Sequence, residues 1–142
     1  MQELETLKLE NQLCFPLYAA SRAVIRHYRT LLDALDLTYT QYLAMMVLWE
    51  QAPCSAKLLG ERLYLDSGTL TLVLKSLEQK GFVTRQRNPQ DERVLLLALT
   101  AAGEALRQQA VAVPPEIAKC IPLEPEEAME LYRLLYKILQ NN

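Results

Sequence analysis

Three cysteines, one histidine and a scatter of tyrosines hold most of the reactive chemistry this chain has. Cys14 is followed by Pro16 and, four residues on, by Tyr18. Proline is tolerated in the first turn of a helix, where the leading amides have no partner anyway. A helix beginning near Phe15 therefore leaves Cys14 at its positive end. Peroxides react with a thiolate, so a sensor cysteine needs access and surroundings that favour the anion. Unpaired amides at a helix start do so, and the Tyr18 hydroxyl, one turn away on the same face, is placed to donate a hydrogen bond. Leu13, Phe15 and Leu17, with Met45 and Met46 as further candidates, suit the alkyl part of an organic hydroperoxide. The alternative for Cys14 is a small hydrophobe in a core.

Other chemistries find little support. Cys14, Cys54 and Cys120 are too few and too scattered for a disulfide scaffold or a tetrahedral zinc site. The single histidine, His27, sits between Arg26 and Arg29 on what reads as an exposed face, which leaves Ser-His-Asp or Cys-His catalysis without its base. No metal, cofactor or enzymatic activity is expected.

A chain of 142 residues is one domain's worth, long enough to bury a core. Its apolar runs, such as Val94 to Leu99, are far too short to cross a bilayer. Its first residues include Glu3, Glu5 and Glu10 and do not read as a signal peptide, so the cytoplasm is the expected location and no membrane partner is implied. The formal net charge of −2 is unevenly spread. Lys75, Lys80, Arg85, Arg87 and Arg93 make the middle of the chain locally basic, while glutamates gather near the C-terminus. A basic lobe on an acidic chain is compatible with DNA binding.

The elements that must position these residues follow from periodicity and caps. Apolar residues over 11–35 (Leu13, Leu17, Ala20, Val24, Tyr28, Leu31, Leu32, Leu35) fit one face of a long helix. Thr38 to Gln41 reads as a capping box for a helix that stops before Pro53. A short helix over Ser55–Leu63, a turn at Tyr64 and Leu65, and a helix capped by Asp66 or Ser67 and ended by Gly81 form a helix-turn-helix. Phe82–Arg87 and Arg93–Leu99, joined by Asn88-Pro89-Gln90-Asp91, read as a β-hairpin wing. Thr100 caps a helix through Val111 that Pro114 and Pro115 break, and Glu124-Pro125 opens a last helix striped with Met129, Tyr132, Leu135, Tyr136 and Leu139. The fold class is mainly α with a small β-wing, a winged helix-turn-helix in one domain over 1–142. The DNA lobe is assigned to 38–99, with dimerisation helices in 8–35 and 100–142. Apolar stripes on the first and last helices are most simply buried against a second copy, which makes a twofold homodimer.

Asp66-Ser67-Gly68-Thr69-Leu70-Thr71, Lys75, Gly81-Phe82-Val83-Thr84-Arg85, Asp91-Glu92-Arg93 and Leu99-Thr100 resemble the MarR family of winged-helix repressors. Leu9 to Phe15, with Tyr18, Tyr28, Thr38-Tyr39, Gln41-Tyr42-Leu43 and Leu48-Trp49-Glu50, resembles its organic-hydroperoxide-sensing branch. The likeness runs from about Lys8 to the last helix. It implies a repressor that releases its operator when Cys14 is oxidised, with an organic hydroperoxide as inducer. It implies that Tyr28 reaches the thiolate from the other subunit, because roughly 20 Å of helix separates it from Cys14 in its own. It implies also that Cys120 of the partner captures the sulfenic acid as an intersubunit disulfide; otherwise a small cellular thiol would cap Cys14. Cys54 matches no functional position.

For a double-stranded DNA operator, the second helix of the helix-turn-helix enters the major groove. Ser67, Thr69 and Thr71 can reach base edges or phosphates, and Lys75 the backbone. The resemblance places Arg93 at the wing tip in the minor groove, steadied by Asp91, with Arg85 and Arg87 adding phosphate contacts. Leu72, where relatives often have proline, and Ser76, where they often have a basic residue, bear on operator preference. Two other readings stay open: a repressor of the same family relieved by a small ligand, and a thiol peroxidase, which the lack of an arginine close to Cys14 disfavours.

Overall fold

The computed structural model describes residues 2–140; Met1, Asn141 and Asn142, the ends of the expected 1–142 domain, lie outside the described residues. Among the described residues, eight α-helices and a three-stranded antiparallel sheet follow one another as α1 (Gln2–Glu5), a 3-10 turn (Leu9–Asn11), α2 (Cys14–Asp33), α3 (Tyr39–Gln51), β1 (Cys54–Ser55), α4 (Ala56–Leu63), α5 (Ser67–Gln79), β2 (Val83–Asn88), β3 (Asp91–Leu99), α6 (Ala101–Ala110), α7 (Val113–Ala118) and α8 (Pro125–Gln140).

The long helix expected over 11–35 is shorter at both ends. Asn11 Nδ2 donates to Glu5 O (2.7 Å), and Gln12 Nε2 to Thr6 O (2.6 Å) and Lys8 O (2.8 Å). These amides tie the N-terminal segment back on itself, Gln12 is extended, and α2 starts only at Cys14. At the other end Asp36 turns left-handed (φ 58°), bridged by a bond from Leu37 N to Leu32 O. The Thr38 box forms as expected: Gln41 N donates to Thr38 Oγ1 (3.3 Å) and Thr38 N to Gln41 Oε1 (3.1 Å). Asp66 rather than Ser67 caps α5, accepting from Thr69 N at 2.7 Å, and Gly81 (φ 83°) follows its end.

Two elements depart from expectation. α6 ends at Ala110, ahead of Pro114 and Pro115 as expected, but the two prolines also open a further helix, lying in the first turn of α7, where their missing amides cost nothing. Cys54 and Ser55 form a strand that pairs with Leu97 and Leu96, so the sheet has order β1-β3-β2. The wing hairpin is also longer than expected, pairing Asn88 with Asp91 across a two-residue loop.

The core joins the end of α2 (Leu32) to α3 (Met45, Leu48), α4 (Leu59), α5 (Leu74, Leu77) and the base of the wing (Val83, Leu97). Around it pack Leu106, Ala110, Val113 and Ile117 of α6 and α7. Gly103 is required where α6 crosses the wing base, because a Cβ there would lie 2.2 Å from Phe82 O. Trp49 Nε1 bonds the same residue's carbonyl at 2.9 Å. In contrast, α8 buries none of its residues, and Leu4, Leu7, Leu13, Met129 and Tyr132 stand exposed. No described helix is long and apolar enough to cross a membrane.

Candidate redox site and nucleic-acid interface

Cys14 is the first residue of α2, exposed, with no side-chain cap before it and no acidic residue in the first turn. Leu13, Phe15 and Leu17 beside it are exposed, so their apolar surface is open to a ligand or a second chain. Met45 takes no part, being fully buried in the core, whereas Met46 is partly exposed. Tyr18 Oη accepts from Arg22 Nη1 at 3.3 Å, and the guanidinium lies 5.4 Å from the ring centroid. Among the described residues no hydrogen bond joins Tyr18 to Cys14 within one chain. Accepting from Arg22 leaves the phenolic proton free to be donated.

Tyr28, on the far half of α2, packs against the first turn of α3: its ring centroid lies 4.7 Å from that of Tyr39 and 5.8 Å from that of Tyr42. Burial first, then the neighbouring phenols, push the Tyr28 pKa up to about 12. Burial likewise raises Tyr39 and Tyr42. Phenols in such surroundings stay protonated and act as hydrogen-bond donors. Tyr39 and Tyr42 are not among the site residues expected from the sequence. Their signal was their three-residue spacing in the first turn of a capped helix, which points both at one neighbour.

Cys120 lies just beyond α7, exposed, its Sγ donating to Glu116 O at 3.5 Å. Both Cys14 and Cys120 are free thiols in the single chain. Cys54 is buried on β1, and desolvation raises its pKa, which leaves it an inert core thiol. His27 is exposed, and no group of three or more metal-ligating side chains occurs among the described residues.

The second surface is built on α5 and the wing. Ser67, Gly68, Thr69, Thr71, Leu72 and Lys75 are exposed on α5, and the Thr71 hydroxyl donates to Ser67 O at 2.7 Å. At the wing tip Asp91 holds Arg93 by Nε–Oδ1 (3.1 Å) and Nη2–Oδ2 (3.3 Å) bonds and by accepting from its backbone amide. The arginine holds the Asp91 carboxyl below the usual range while its own side chain stays 91% exposed. Arg87 is exposed, with no ion pair among the described residues. Arg85 is different: it forms two bonds to Glu78 (3.2 and 3.0 Å), bracing the wing against α5.

Between the two surfaces lies a polar link. Gln41 is buried; its Oε1 accepts from Lys80 Nζ (2.8 Å) as well as Thr38 N, and its Nε2 donates to Ser76 Oγ (2.9 Å). Lys80 also donates to Asp36 O at 2.6 Å. The α2–α3 corner, next to Tyr39, is thereby bolted to α5.

A family model described as MarR family matches residues 37–95. The chain is 46% identical over 138 residues to the organic hydroperoxide resistance transcriptional regulator of Bacillus subtilis, covering 97% of this chain and 94% of that one. It is 38% identical to AbfR in the structure of the reduced protein bound to DNA, with a TM-score of 0.78 over 98% of this chain and 97% of that one. A disulfide form of AbfR matches at 38% identity and a TM-score of 0.62, over 99% and 93%.

Proposed function

The chain belongs to the MarR family, and from that premise we propose how its two surfaces work as one device. It is a DNA-binding transcription repressor that senses organic hydroperoxides through Cys14 and releases its operator on oxidation. The observation that carries this reading is an exposed thiol on the first residue of α2, in a chain nearly half identical end to end to a hydroperoxide resistance regulator.

The repressor acts in the cytoplasm as a twofold dimer, a single domain whose 38–99 lobe reads DNA while 8–35 and 100–142 hold the subunits together. The unburied apolar residues of α1, α2 and α8 support that division. In the first step the Cys14 thiolate attacks the outer oxygen of the hydroperoxide. An S–O bond forms, the O–O bond breaks, and the departing alkoxide leaves as the alcohol after gaining a proton. Tyr18 and the partner subunit's Tyr28 donate hydrogen bonds to the thiolate beforehand. In the second step the thiol of Cys120 of the partner subunit attacks the sulfenic sulfur, forming a disulfide and releasing water. On DNA, Ser67, Thr69 and Thr71 face base edges or phosphates, Lys75 and Arg87 contact phosphates, and Arg93, oriented by Asp91, enters the minor groove. Arg85 reaches phosphate only from the edge of its Glu78 pair.

The test is operator gel shift with reduced protein, then cumene hydroperoxide, then dithiothreitol, using wild type and Cys14→Ser. Wild type should lose the operator and regain it, and Cys14→Ser should bind throughout. A Cys14→Ser protein that still dissociates removes Cys14 as the sensor. Sustained peroxide turnover with a reductant would instead favour a thiol peroxidase, and release by a phenolic ligand alone a ligand-controlled repressor.

A further inference from the structure

The reading helix α5 presents an apolar side chain that its own core does not use. Leu70, Val73, Leu74 and Leu77 are buried, and Leu72, on the opposite side of the helix, is 70% exposed. Single exposed leucines are ordinary on protein surfaces; this one has a companion that is not. Gly68 lies one turn earlier on the same line as Leu72. It has no left-handed backbone, and a Cβ built there would meet only Asp66 Oδ1, at an ordinary 3.4 Å. Nothing inside the chain requires glycine, although alanine is the better helix former. A glycine does let a molecule outside the chain approach the backbone closely. Lys75, three residues beyond Leu72, is exposed on the same side and supplies a positive charge.

We propose that Leu72 is a specificity-determining residue, packing on the 5-methyl group of a thymine in the operator's major groove, with Gly68 admitting the base edges one turn earlier. The thymine methyl is the apolar feature of a base pair's major-groove edge, and side-chain carbons read it by contact. The proposal rests on the repressor reading above and names what one face of its reading helix recognises.

The test uses an operator duplex selected by the full-length reduced protein from a randomised DNA library, with each thymidine replaced in turn by deoxyuridine. That exchange keeps base pairing and removes only the methyl. At one position per half-site, wild type should lose about fourfold in affinity, the factor expected for one buried methyl at about 0.8 kcal/mol. Leu72→Ala should bind the thymidine and deoxyuridine duplexes equally at that position, with an unchanged circular dichroism spectrum. Gly68→Ala should keep its fold and lose operator affinity. A flat deoxyuridine scan, a penalty retained in full by Leu72→Ala, or full affinity in Gly68→Ala overturns the proposal while sequence-specific binding stands. Failure to select any sequence removes the repressor reading and this proposal together.

Discussion

In the proposed mechanism Cys14 is the residue that reacts, and the hydrogen bonds donated to it set how much of the thiol is anion. In that mechanism Tyr28 donates as a neutral phenol, and burial with its two phenolic neighbours pushes its pKa up to about 12. Near-ultraviolet titration should therefore show one phenolate forming around pH 12 instead of the ordinary 10. Since the folded-state pKa lies above the unfolded one, the stability it contributes is fully present below pH 10 and fades as pH rises through 12. Tyr28→Phe should remove one phenolate from that late titration, leaving the raised Tyr39 and Tyr42. It should also slow Cys14 oxidation by about ten- to a hundredfold, the range for losing a hydrogen bond to a charged group. Unchanged peroxide kinetics would leave Tyr28 a packing residue. Cys14 and Tyr18 follow from residue type and spacing, whereas Cys120 comes from the family resemblance. The Tyr28–Tyr39–Tyr42 cluster is legible only by half: the spacing of Tyr39 and Tyr42 points both at one neighbour, but that neighbour is Tyr28 only because α2 crosses α3 there.

At the scale of elements, local chemistry was readable and distant pairing was not. Thr38 with Gln41, Asp66, Gly81 and Thr100 all mark helix ends by caps written within four residues of chain. The two-residue strand at Cys54 carries no periodicity of its own and forms only because Leu96 and Leu97 lie alongside. The prolines of α7 read as breakers because their position within the first turn is known only once the turn exists. Gln41 was legible as half of a capping box, while its second role, bonding Ser76 and Lys80 across 35 and 39 residues, was not. Gln41→Leu keeps the volume but strands those partners. It should cost about 1–3 kcal/mol in urea unfolding, the range for a buried polar group left unsatisfied. It should also weaken reduced-state operator binding, since α5 loses its fastening to the α2–α3 corner. Unfolding and affinity both at wild-type values would show that the corner and α5 are held together by packing alone.

At the scale of the whole molecule, one chain is an incomplete device. Its core is closed around the winged lobe, yet α8 buries nothing, and the apolar side chains flanking Cys14 face outward. In the proposed dimer the exposed apolar surface that a second copy would cover also carries Cys14, so oxidation would strike where the two subunits meet. Tyr28 packs on α3, α3 is bolted to α5 through Gln41, and a change at the subunit boundary thus has a connected route to the reading helix. The central claim is that peroxide is sensed across the dimer, by Cys14 of one chain and Cys120 of the other. Mixed dimers of Cys14→Ser and Cys120→Ser chains test it most directly, because such a dimer holds a single Cys14 on one chain and a single Cys120 on the other, beside the buried Cys54 of each. After cumene hydroperoxide, non-reducing mass analysis should find a covalent dimer with a single Cys14–Cys120 disulfide between the chains. Mixed dimers that stay non-covalent, with Cys14 oxidised and unlinked, would contradict the account.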